Sequence, residues 1–167
     1  ASKAASGGAV ILYNDGTGPN GNPTAIDAGH GISGFAAADF NEDGLLDIVA
    51  ASRLASEPLM LFPGVGGGQY GAVLTPFTGG KGTPTILDTN QDTHQDVVRC
   101  DPASTPPCQV QYGNGHGHFA STFTPPAEGF VGRDRRAVAA VDLDGDGATD
   151  FGGVSRKDNQ AVVLFRA

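Results

Sequence analysis

The chain has 167 residues, with 26 Gly, 11 Pro, no Trp, one Met, 17% charged residues and a net charge of −8. That length holds one domain with its own core, the negative balance argues against a nucleic-acid partner, and no run is long and apolar enough to predict membrane insertion by a helix. The N-terminus has no signal-peptide pattern, and a start at Ala1 rather than Met reads as a processed or trimmed product.

Glycines separate short apolar runs at 9–13, 47–51, 59–62 and 161–165. Such punctuation predicts an all-β chain with many tight turns. The first unit to appear is a strand ending in Tyr13, followed by the turn Asn14-Asp15-Gly16-Thr17-Gly18. After the connection Gly29-His30-Gly31 comes an acidic loop, Asp39-Phe40-Asn41-Glu42-Asp43-Gly44-Leu45-Leu46-Asp47, here called loop 1. A second strand-and-turn unit follows, ending in Phe62 and running through 63–70. Loop 2 spans 88–96, a third strand-and-turn unit runs through Tyr112 to Phe119, loop 3 spans 142–150, and Leu164-Phe165 begins a fourth unit.

The loops begin 49 and 54 residues apart, and the aromatics Tyr13, Phe62, Tyr112 and Phe165 lie 49, 50 and 53 apart. Repeats of roughly 20–50 residues signal propellers and other arrays. Within the first complete unit, strands are predicted at 34–40, 47–51, 58–62 and 72–77, and four short antiparallel strands make a propeller blade. The predicted layout is two strands of a first blade at about 8–28, complete blades at about 32–78 and 83–125, and three strands of a last blade at about 135–167. About three blades are fewer than a closed ring needs, so a longer propeller, a partner chain, or a second copy completing the ring is expected.

In each loop, oxygen-bearing side chains fall at positions 1, 3, 5 and 9: Asp39, Asn41, Asp43 and Asp47; Asp88, Asn90, Asp92 and Asp96; Asp142, Asp144, Asp146 and Asp150. This alternation suits a hard, oxygen-seeking cation such as Ca2+. Ten of the 18 acidic residues are these aspartates, and three divalent ions, carrying six charges, would take −8 to −2. Position 6 must turn sharply; Gly44 and Gly147 permit that, whereas Thr93 predicts weaker binding or an apo loop 2. An EF-hand is excluded, because no helical pattern flanks the loops and no Glu stands at position 12.

Residues 35–51 most fully, and residues 137–155 closely, resemble the FG-GAP or VCBS repeat family, the calcium-binding β-propeller blades of integrin α-subunits and of many secreted microbial proteins and lectins. The resemblance implies that the carbonyls at position 7, those of Leu45, His94 and Ala148, complete the ligand sets of up to three ions. It also implies a secreted, lectin-like module that binds a carbohydrate or protein ligand.

Cys100 and Cys108 bracket a Pro-rich connection between two predicted strands. A disulfide there is geometrically reasonable and fits an extracellular compartment. His116 and His118 read as turn residues, Arg133-Asp134-Arg135-Arg136 as a solvated turn, and the Gly-rich turns lack the helix and Lys-Ser or Lys-Thr of a phosphate cradle. No nucleophile elbow is found. An enzyme such as a polysaccharide lyase stays open as an alternative, with His30, Arg133 and Arg135 as its candidate groups, as does a scaffold that completes a larger propeller.

Overall fold

The computed structural model describes residues 8–14, 19–28, 31–54, 57–77, 82–100, 108–123, 135–145, 149–155 and 160–164. They form fourteen strands, and no helix occurs among the described residues. The chain divides into two compact units, one of Ala1–Asp39 and Asp43–Gly82, the other of Phe40–Glu42 and Thr83–Ala167. Among the described residues all sheets are antiparallel and link strands consecutive in sequence, so the fold is all-β and made of propeller blades, one of them four-stranded and the others partial.

In the first unit, β1 (Gly8–Asn14) pairs with β2 (Pro19–Asp27), and β3 (Ile32–Ala38), β4 (Asp47–Ser52) and β5 (Met60–Phe62) form a meander. Every residue of β4 is buried, on both faces of the sheet, which suits the middle strand of a blade. Alternate residues serve different faces. Ile48 and Ala50, with Met60 and Phe62, pack with Ile26 and the half-buried Ile11 and Ile32, while Val49, Leu59 and Leu61 are 0–1% exposed. Burial of each such large aliphatic side chain contributes about 1.5–3 kcal/mol.

The fourth strand expected at 72–77 does not form. That stretch contributes only the bridge Leu61↔Leu74, with reciprocal N–H to carbonyl bonds of 2.8 Å. Pro76 has no N–H with which to extend the ladder, and the Gly71 N–H turns instead to the Pro63 carbonyl at 2.7 Å. The turn before it folds as a small hairpin of β6 (Gly64–Gly66) and β7 (Gln69–Tyr70). Likewise β3 ends at Ala38, short of the expected residue 40.

The second unit contains a full four-stranded blade, β8 (Thr83–Leu87), β9 (Asp96–Cys100), β10 (Cys108–Gly113) and β11 (Phe119–Phe123). Val97, Val98 and Val110 are buried in it, and Cys100 lies opposite Cys108 in the ladder. The last sheet is β12 (Arg135–Val141), β13 (Asp150–Ser155) and β14 (Gln160–Leu164). Strand β12 runs close to β8, so the first strands of these two sheets are neighbours.

Register corrects two alignments. Phe62 opposes Ile48, Gln111 opposes Val97 and Leu164 opposes Phe151, each partner being the residue after position 9 of its loop. Gln111, not Tyr112, and Leu164, not Phe165, are therefore the counterparts of Phe62. Tyr112 precedes Gly113 directly and so takes the place of Pro63 before Gly64.

These two glycines are the closest backbone approaches in their turns. A Cβ on Gly64 would lie 2.5 Å from the Leu46 carbonyl oxygen, and one on Gly113 would lie 2.2 Å from that of Gln95. Both carbonyls belong to position 8 of the blade's own loop. Gly113→Ala is expected to cost about 1–3 kcal/mol by forcing that backbone apart, read as a lower denaturant midpoint at unchanged slope; an unchanged midpoint would contradict the packing described.

Candidate metal centre

Each acidic loop joins the first two strands of its sheet: loop 1 between β3 and β4, loop 2 between β8 and β9, loop 3 between β12 and β13. Backbone N–H groups curl around the first carboxylate. Asp39 accepts from Asp43 N–H (3.1 Å) and Gly44 N–H (2.8 Å), Asp88 accepts from Asp92 N–H (3.1 Å) and Thr93 N–H (2.8 Å), and Asp142 accepts from Gly145 N–H (2.7 Å). The fifth position closes a smaller turn: Leu45 N–H donates to Asp43 at 2.8 Å and His94 N–H to Asp92 at 2.9 Å. Side-chain oxygens at these spacings replace backbone acceptors in Asx turns.

Among the described residues, two positions of loops 1 and 2 and one position of loop 3 carry left-handed backbone. Position 6 does so at Gly44 (φ 84°) and at Thr93 (φ 73°). Position 4 does so in all three loops, at Glu42 (φ 58°), Gln91 (φ 64°) and Gly145 (φ 80°). Sequence reasoning found the first requirement and missed the second, because Glu and Gln carry no sign of it.

The ninth carboxylate is different in kind. Asp47, Asp96 and Asp150 are 0–1% exposed, although they begin strands. Asp47 accepts the Gly64 N–H at 2.8 Å, and Asp96 accepts the Gly113 N–H at 2.9 Å. The other oxygen faces its own loop: Asp96 takes Thr89 N–H (2.7 Å) and Thr89 hydroxyl (2.5 Å), and Asp150 takes Leu143 N–H (2.8 Å). Burial pushes the Asp96 pKa above the usual carboxylate value, against the pull of the Thr89 and Gly113 donors. Asp92 has the opposite balance. Burial is the largest single influence and raises it, but the His94 N–H, the Asn90 side chain and the charge on His94 together outweigh that and hold its pKa below the usual value.

In loop 3, carboxylate oxygens of Asp142, Asp144 and Asp150 all lie within 4.8 Å of one another. Asp146 and Ala148 lie outside the described residues. The assembled set is all oxygen, with two exposed carboxylates above one buried carboxylate, and that donor chemistry fits a hard divalent cation. In loops 1 and 2 the structure places Asp39, Asn41, Asp43, Leu45 and Asp47, and Asp88, Asn90, Asp92, His94 and Asp96, in the expected order on the loops. Their carboxylates are directed largely at loop N–H groups; Asn90 Nδ2 also donates to Asp92 at 2.8 Å.

The His94 side chain has a partner that sequence spacing did not suggest. Its Nδ1 lies 2.5 Å from Glu42 Oε1, and this hydrogen bond raises the imidazole pKa above its ordinary value. Beside it, Phe40 meets Phe119 edge to face at 5.5 Å and 69°, and the Gly117 N–H donates to the Phe40 carbonyl at 2.9 Å. His116 and His118 serve the turn as expected: their N–H groups donate to Asn114 Oδ1 at 3.0 and 3.3 Å. His30 and Arg133 lie outside the described residues, and Arg135 is placed in β12.

A family model described as an FG-GAP-like repeat matches residues 3–50 and 59–152. No curated protein matches the chain. Thr93, β-branched in a left-handed conformation, marks the strained position of loop 2. Thr93→Gly is expected to raise stability by about 0.5–1 kcal/mol, the relief of strain exceeding the added chain entropy; a lower unfolding midpoint would contradict it.

Proposed function

Because the chain belongs to the FG-GAP-like repeat family, we propose that it is a secreted, calcium-stabilised β-propeller module that binds a carbohydrate or protein ligand and is not catalytic. The observation that carries the calcium reading is the convergence of Asp142, Asp144 and Asp150. Like charges so close oppose one another in the absence of a cation. In loop 3 the ion would be held by these three with Asp146 and the Ala148 carbonyl. In loop 1 the holders would be Asp39, Asn41, Asp43, Asp47 and the Leu45 carbonyl, and in loop 2 Asp88, Asn90, Asp92, Asp96 and the His94 carbonyl. The ion supplies positive charge that neutralises the clustered carboxylates and fixes each loop. Its role is to hold the blade connections.

Extracellular residence is supported by the Cys100 and Cys108 register. The two lie opposite each other in adjacent strands, and Cys108 is 3% exposed. We assign them a disulfide, which would clip the Pro-rich connection at 101–107. Ligand recognition would fall to connections at the blade ends, which vary in length and sequence while the strands hold them in place.

Thermal unfolding in EDTA and then in excess calcium tests the reading. The midpoint is expected to rise on calcium addition, by the equivalent of about 2.7 kcal/mol at a hundredfold excess over Kd. Asp144→Asn should reduce that rise. Equal midpoints with and without calcium would overturn the assignment.

A further inference from the structure

The Gly-rich turn of the four-stranded blade contains a reactive pair that the metal and ligand readings leave unused. Asn-Gly occurs twice in the chain, at Asn20-Gly21 and Asn114-Gly115. In such a pair the glycine amide nitrogen can close on the asparagine side-chain carbonyl carbon, because the second residue has no side chain to obstruct the approach. The two pairs stand in different surroundings. Asn20 lies inside β2, in the ladder opposite Tyr13, whereas Asn114 is exposed at the turn between β10 and β11.

Asn114 is held in a way that favours this attack. Its Oδ1 accepts the His116 N–H at 3.0 Å and the His118 N–H at 3.3 Å. Both partners are donors, so the atom between them is the carbonyl oxygen. Two main-chain N–H groups on one carbonyl oxygen stabilise the negative charge that develops there during acyl transfer. The attacking nitrogen belongs to Gly115, and the fold fixes that residue as glycine. Gly115 is buried with φ 71°, and a Cβ on it would lie 2.6 Å from His94 Nδ1 and 2.7 Å from Glu42 Oε1. The corresponding turn of the first unit carries Val65 directly after Gly64, so it has no amide to react.

We propose that Asn114 is a self-modification site, at which the folded turn promotes closure of a succinimide ring. The bond from Gly115 N to Asn114 Cγ forms and the Cγ–Nδ2 bond breaks, and the Gly115 amide proton leaves with the carboxamide nitrogen as ammonia. Water then opens the ring at either carbonyl, leaving an aspartyl or an isoaspartyl residue at position 114.

Either product adds one negative charge to the turn. The isoaspartyl product also carries the main chain through the former side chain, which inserts one carbon between two fixed points: Gly113, held by Asp96, and Gly115, set against His94 and Glu42. The turn thereby records the age of the folded protein. This goes beyond the calcium and ligand-binding reading and does not depend on it.

Prolonged incubation of the full chain at neutral pH, folded in one sample and unfolded in urea in another, tests the site. Peptide mass spectrometry follows conversion at Asn114, and electron-transfer fragmentation separates aspartyl from isoaspartyl products. One oxyanion donor is worth about 10²–10³ in rate in an enzyme. With two donors, one of them at the longer distance, conversion at Asn114 is expected to run at least about tenfold faster in the folded chain than in the unfolded one. A folded rate equal to or below the unfolded rate would overturn the proposal. Asn114→Ser keeps an oxygen acceptor at the turn but has no carboxamide, so the succinimide and isoaspartyl signals of that peptide should vanish. Their persistence in Asn114→Ser would also overturn it.

Discussion

A buried carboxylate bonded to a glycine N–H across the sheet organises these blades. Asp47 reaches Gly64 and Asp96 reaches Gly113, each 17 residues away, with both partners in each bond buried. An ionised side chain in such a position is costly unless its lone pairs are met, and here donors come from two directions. One oxygen of Asp96 is held by Thr89 and the other by Gly113. The bond therefore fixes the metal loop and the Gly-rich turn against each other.

This explains why the two landmarks recur together. The glycine that donates the N–H also passes so close to the position 8 carbonyl that a side chain cannot fit. The loop requires the turn to be glycine, and the turn requires the loop to end in a buried Asp. In the last sheet the register is described as far as Leu164 opposite Phe151. Its loop departs from the other two in bringing three carboxylates together.

Much of this was legible in the residue order. Strands β4, β9 and β13 begin at the ninth loop residue, as the phase of Asp47, Asp96 and Asp150 implies. Blade identity was legible because the repeat is local and each landmark has a steric or electrostatic reason. What failed has physical causes. The strand expected at 72–77 follows from the layout of the repeat, but Pro76 and the Gly71 to Pro63 bond limit it to one bridge. The pairing of Tyr112 with Phe62 followed aromatic character, whereas register follows backbone bonds and puts Gln111 there. Contacts such as Glu42 with His94 join residues 52 apart, and no spacing within one repeat announces them.

The central claim is that the Gly113 N–H is held by a buried carboxylate rather than lying in an open turn. Native-state hydrogen exchange at that single amide tests it most directly. The account predicts exchange only through large-scale opening, with a protection free energy close to that of global unfolding, despite its place at the mouth of a Gly-rich turn. Exchange at the rate of an exposed loop amide would contradict it.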